Sequence, residues 1–153
     1  MKKRKVAFWC LPFALHKESK EFFETINKSD NFKIHNSHTT LYFGKEKGTH
    51  EKLFHMIGET IVCTVGNLYY TKDVCCYTVT LSRSDIYFGD SFPHITVATF
   101  GDAKPVKSNE ILLTDSKFMK TDISGMVYEA KVCAAIYTGD GLVYTSDQNM
   151  IKI

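Results

Sequence analysis

The sequence has no apolar run long enough to cross a bilayer, no low-complexity tract and no convincing linker. What remains is a folded domain, and 153 residues suffice to bury about two-thirds of the unfolded surface. With 44% hydrophobic residues and plentiful aromatics, the chain is read as one domain over 1–153 that holds its own core. None of the five cysteines, Cys10, Cys63, Cys75, Cys76 and Cys133, forms a C-x-x-C pair, and adjacent Cys75 and Cys76 are awkward to bridge. An odd count without framework spacing argues for free thiols in a reducing compartment, packed as small buried hydrophobes. Strong charge of either sign is missing too, since 19 basic and 17 acidic residues leave a formal +2. That balance neither demands nor excludes a nucleic-acid partner, so any basic surface must be local.

A credible export signal is also lacking. Lys2-Lys3-Arg4-Lys5 before the apolar Val6 to Leu15 imitates one, but Pro12 interrupts the run and His16-Lys17-Glu18 follows without a small-x-small cleavage site. Val6 to Ala14 reads instead as a first buried strand. This places the protein in the cytoplasm, with no membrane partner, and leaves the nucleus as a lesser option for the basic tetrad.

Residues 16–29 carry Phe22, Phe23 and Ile26 at helical spacing. Thr49 is a candidate cap for a second helix to about Glu59, with Leu53, Phe54 and Ile57 repeating that spacing. Strands follow: 60–71 and 74–81 as a hairpin across Lys72-Asp73, a polar loop over 82–91, then a strand that Pro93 introduces. A short helix is expected from Pro105 to about Leu113. Met126 to Tyr137 and Leu142 to Thr145 form a last hairpin across Gly139-Asp140-Gly141. Strands outnumber helices, so the fold class is α+β with mainly antiparallel strands.

The chain does contain one short stretch twice. Ser37-His38-Thr39-Thr40-Leu41-Tyr42-Phe43 and Phe92-Pro93-His94-Ile95-Thr96-Val97 both read His, any residue, Thr, aliphatic. Both are rich in β-branched and aromatic residues, so each is expected on a strand with side chains alternating between faces. His38, Thr40 and Tyr42 then share one face, with Thr39, Leu41 and Phe43 on the other. His94 and Thr96 likewise oppose Ile95 and Val97. Burying an imidazole and a hydroxyl without partners is costly, so two such strands suggest a shared polar cleft. His35-Asn36-Ser37 lacks the aliphatic residue and faces away from His38, and is read as chance.

Two His-x-Thr-aliphatic motifs on strands, in a chain of this size, resemble the 2H phosphoesterase superfamily. That superfamily includes LigT-like RNA ligase/phosphoesterases, cyclic phosphodiesterases, the phosphodiesterase domains of fungal and plant tRNA ligases, and viral enzymes that degrade nucleotide second messengers. The stretch Pro93 to Leu112, with Lys104-Pro105-Val106, is similar to the tRNA-ligase group. The resemblance covers Lys5 to the final hairpin, and only the two motifs are specific. It implies a bilobal LigT-like fold: two mainly antiparallel sheets meeting in a V-shaped cleft, two or three outer helices, and one motif from each lobe at the cleft floor. The sequence departs from larger members in one respect. His38 and His94 are 56 positions apart, with no helical pattern between Leu81 and His94, so the second lobe looks trimmed. The substrate class is left open by that trimming.

The residues themselves suit phosphodiester cleavage. A proton must leave the attacking oxygen and another must reach the leaving oxygen, and histidine titrates in the range suited to both. The hydroxyls of Thr40 and Thr96, about 6 to 7 Å along each strand from the histidines, suit hydrogen bonds to non-bridging phosphate oxygens. Such a site (His38, Thr40, His94, Thr96) requires no metal or other cofactor, and which histidine is base stays open. Zinc is a poorer reading, because no Cys or carboxylate pattern accompanies the histidines; His16, His50 and His55 read as surface or helix residues. Tyr42 and Phe92 are candidate substrate contacts, with Trp9, Phe13, Tyr87 and Phe88 as further base platforms; core or loop packing is the plain alternative for each. Lys45 and Lys47 could meet a phosphate backbone, although solvated loop lysines are commoner. Substrates considered are RNA ends bearing 2′,3′-cyclic phosphate, and 2′,5′-linked or cyclic oligonucleotide messengers. The alternative class is a non-catalytic RNA- or nucleotide-binding module. Nothing in the sequence argues for dimerisation, so a monomer is expected.

Overall fold

The computed structural model describes residues 2–13, 32–34, 38–113 and 117–153, and the helix expected over 16–29 lies outside them. The described strands are β1 (Arg4–Pro12), β2 (Phe32–Ile34), β3 (His38–Tyr42), β4 (Thr60–Tyr70), β5 (Val74–Leu81), β6 (His94–Phe100), β7 (Lys117–Met119), β8 (Val127–Lys131), β9 (Cys133–Thr138), β10 (Gly141–Thr145) and β11 (Ile151–Lys152). Two helices, α1 (Lys47–Met56) and α2 (Lys107–Leu112), lie among them. The class is therefore α+β. Its sheet order is β10-β9-β1-β3-β6-β5-β4-β7, with β2 beside β6, β8 beside β4, and β11 beside β1 as the one parallel pair among the described strands. In place of two sheets meeting in a V, one continuous sheet runs through β3 and β6, which share the single rung Thr39 to Ile95.

The expected closing strand Met126 to Tyr137 divides at Val132. β8 pairs with β4, while β9 pairs with β1 and with β10. The reason is local: Val132 donates its N–H to the Glu59 carbonyl and accepts from Gly58 N, both at 2.9 Å, so its backbone leaves one ladder before joining the next. The sheet thus curls about a core of Trp9, Leu11, Leu41, Ile61, Ile95 and Val132. A second cluster, around Val65, Leu68, Tyr77 and Val97, continues it on the same face.

Helix α1 covers the first cluster. Its buried residues Thr49, Leu53 and Met56 recur at helical spacing, and Gly58, at φ 85°, supplies the left-handed residue that ends it. Thr49 is not its cap: the helix starts at Lys47, with the Glu46 carbonyl accepting from His50 N at 3.2 Å. Pro105 likewise precedes α2, because the Lys104 and Pro105 carbonyls are taken at three-residue spacing by Lys107 and Ser108. All five cysteines are buried and unbridged. Among the described residues no helix is long and apolar enough to cross a membrane.

Leu53 is fully buried and anchors α1 to the sheet. Leu53→Ala should cost about 2–5 kcal/mol in urea unfolding, and a loss under about 1 kcal/mol would show that α1 is not seated as described.

Candidate active site

The two motifs meet across the Thr39 to Ile95 rung. Antiparallel register then sets His38 across from Thr96, and Thr40 across from His94. Because alternate residues share a face, these four stand together on the face opposite the buried Thr39 and Ile95. Opposite side chains lie about 5 Å apart at Cβ, and diagonal ones such as His38 and His94 about 7–8 Å apart. One phosphate can bridge that gap between imidazole tips. Two copies of one motif about one antiparallel rung are related by an approximate local two-fold axis.

The surroundings of the two histidines differ. His38 Nδ1 is 2.8 Å from the Tyr144 hydroxyl, and its ring packs on Phe8 with centroids 4.8 Å apart. Tyr144 comes from β10, placed beside Phe8 by their common neighbour Ala135 on β9. His94 Nδ1 is instead 2.7 Å from the Phe92 carbonyl. A carbonyl only accepts, so Nδ1 carries the hydrogen and Nε2 of the neutral ring keeps the lone pair. Burial holds the His94 pKa below its ordinary 6.5, with the Phe92 bond acting the other way.

Thr96 is braced from α2. Its hydroxyl is 2.8 Å from that of Ser108, a fully buried residue in the helix's first turn. Cys76 on β5 lies across from Thr96, and burial pushes its thiol up to about 12 against the effect of a hydrogen bond with Ser108. Thr40 sits half-exposed beside Cys10 of β1. Among the described residues no three His, Cys, Asp or Glu side chains gather as a metal would need.

Tyr42 departs from the expected alternation. Trp9 pairs with Tyr42 while Cys10 pairs with Thr40, leaving Leu41 as the extra residue of a β-bulge. Tyr42 consequently turns towards α1, where it meets His50 and Phe88 edge-on and its hydroxyl accepts from Glu46 N at 2.9 Å. Phe43 takes the opposite course, 77% exposed with its ring 6.5 Å from Phe8 on the His38 side. Phe92 does stay near the motif. With Tyr69, Thr78, Tyr87 and Pro93 it lines a cavity of about 450 Å³, adjoining His94 through the Thr78 to His94 pairing. Trp9 and Phe13 are core residues, and Phe88 packs under Lys52. Sequence reasoning missed Tyr144, Ser108, Phe8 and Phe43. Three of them depend on long-range register, and Phe43 on the bulge, for which the local sequence carries no signal.

The family model of the fungal tRNA ligase phosphodiesterase domain matches residues 14–136. No curated protein matches the chain significantly. The family match takes in both His-x-Thr strands and most of the chain, and the protein therefore belongs to the fungal tRNA ligase phosphodiesterase domain family.

Proposed function

We propose that this chain is a metal-independent hydrolase of the two-histidine (2H) type that opens 2′,3′-cyclic phosphates at the ends of RNA. The observation that carries the reading is the shared rung, which sets His38 and Thr40 against Thr96 and His94 on one face. Family membership favours RNA ends over oligonucleotide messengers. A binding module would need no matched proton donor and acceptor, so intact motifs on both strands speak for turnover.

His94 is the base. Its Nε2 lone pair takes a proton from water, the water oxygen bonds to phosphorus, and one ribose P–O bond of the cyclic ester breaks. Protonated His38 delivers a proton to that leaving oxygen, so charge does not accumulate on it. Thr40 and Thr96 donate hydrogen bonds to the non-bridging oxygens. When the Ser108 hydroxyl donates to Thr96, the Thr96 hydrogen can turn from the Pro105 carbonyl, 3.5 Å away, to the phosphate. The terminal base lies in the cavity beside His94, against Phe92 and Tyr87.

The decisive assay offers an RNA 2′,3′-cyclic phosphate, a 2′,5′-oligoadenylate, a cyclic dinucleotide and a 3′,5′-linked control, all with EDTA present. Turnover of the cyclic phosphate alone is expected, with His38→Ala and His94→Ala each lowering kcat by at least about 10²-fold. Activity indifferent to both substitutions would sink the reading.

The base must be neutral to act, and its pKa is lowered. The acid limb of kcat/KM should therefore fall below pH 6.5, with activity retained as pH drops through the ordinary histidine range. A limb at or above that value would remove His94 from the role. Tyr144→Phe, which takes one hydrogen bond from His38, should lower kcat about tenfold while KM stays within about twofold. Unchanged kcat would leave Tyr144 with a packing role only.

A further inference from the structure

A second cavity opens between the β1–β11 pair, the loop after β3 and the start of α1. Of about 590 Å³, it is lined by Lys5, Lys45, Lys47 and Lys152, with Val6, Ala7, Phe43 and His50 among the apolar and ring surfaces between them. Gly44 and Ile153 complete the lining, which includes no Asp or Glu side chain. Four lysines thus share one groove in a chain whose formal charge is only +2. Two of them are set side by side by the fold: β11 pairs in parallel with β1, and Lys5 stands across from Lys152. Like charges directly opposite on a sheet destabilise it, a cost that a bound polyanion reverses. Among the described residues Lys5, Lys45 and Lys152 enter no ion pair, and Lys47 has only an exposed contact with Glu51 at 3.9 Å.

The groove is held in shape. His50 accepts from Trp9 Nε1 at 2.9 Å and donates from Nε2 to the Gly44 carbonyl at 2.8 Å, tying the loop after β3 to the core. Gly44 must be glycine there, because a side chain would run into the Tyr42 ring. A run of rings links the groove to the candidate site. Phe8 touches His38 at one end and approaches exposed Phe43 at the other, and Lys5 lies three residues before Phe8, about 10 Å along the strand.

We infer that this groove receives the single-stranded RNA chain upstream of the cyclic phosphate, its bases stacking on Phe43 and Phe8 and its phosphates meeting the four lysines. The inference rests on the phosphodiesterase reading and narrows its substrate to RNA chains several nucleotides long, in preference to mononucleotides. Aromatic platforms interleaved with a basic track are the means by which proteins hold single strands. Each phosphate neutralised should add about 0.7 to the magnitude of the slope of log affinity against log salt.

The test compares a 2′,3′-cyclic mononucleotide with a short single-stranded oligoribonucleotide bearing the same terminus, in the wild type and in the fourfold variant Lys5→Gln, Lys45→Gln, Lys47→Gln, Lys152→Gln. In the wild type the oligonucleotide should have the higher kcat/KM by on the order of tenfold or more at low salt, through KM. In the variant that advantage should collapse along with its salt dependence. Equal kcat/KM for the two wild-type substrates, or an oligonucleotide advantage untouched by the four substitutions, would overturn the inference. Anisotropy with single-stranded RNA ending in a 3′-phosphate reads the groove without catalysis. Salt-dependent binding lost in the variant supports the groove even if neither substrate turns over, a result that would sink the phosphodiesterase reading alone. Binding of phosphatidylserine vesicles in place of RNA would overturn the groove's assignment.

Discussion

Everything at the candidate site depends on one row of backbone pairing. Leu11, Thr39, Ile95 and Tyr77 are successive partners across β1, β3, β6 and β5, and all four are buried. The rows flanking it carry the motif residues: Cys10, Thr40, His94 and Thr78 on one side, Pro12, His38, Thr96 and Cys76 on the other. A slip of one residue by either strand would turn its own buried residue, Thr39 or Ile95, outward and drive its histidine into the core. Burial of the central row therefore fixes the register that sets the histidines on a diagonal. The four motif side chains need no loop to position them, because the sheet does so.

The same core reaches the lysine groove through a different chain of contacts. Trp9 is fully buried, and its indole nitrogen fixes the His50 ring, which in turn fixes the loop carrying Phe43 and Lys45. The bulge at Leu41 does two things at once. It keeps Leu41 and Tyr42 on the core side of Trp9, and it sends Phe43 out beside Phe8. The cavity next to His94 and the groove next to Phe43 share no lining residue.

The parts of this arrangement legible in the sequence were those set by local pattern. The hairpin of β4 and β5, the strand character of both motifs, and the existence of α1 and α2 follow from periodicity and turn residues. The boundaries differ from Thr49 and Pro105 because the Glu46 carbonyl already accepts from His50 N and opens α1 earlier, while the Lys104 and Pro105 carbonyls close three-residue turns ahead of α2. Tyr42 was placed by strict alternation, which a single extra residue reverses. The division of Met126 to Tyr137 between two edges, the return of β11 to β1, and the arrival of Tyr144 at His38 are matters of tertiary register. Each joins residues far apart in the chain. Pattern within a window of a dozen residues carries no information about them.

The local two-fold relation between the motifs makes the histidines equivalent by position, yet a hydrolysis step needs one to take a proton and the other to give one. The difference comes from what lies behind each ring. Behind His94 is a carbonyl, which can only accept; it holds one tautomer, and burial lowers that ring's pKa. Behind His38 is a phenol, which can donate or accept, so either ring nitrogen can carry the proton as the reaction requires. In the proposed mechanism the symmetry of the rung brings two equal groups to one phosphate, and the asymmetry of a backbone carbonyl and a tyrosine hydroxyl divides them into a base and an acid.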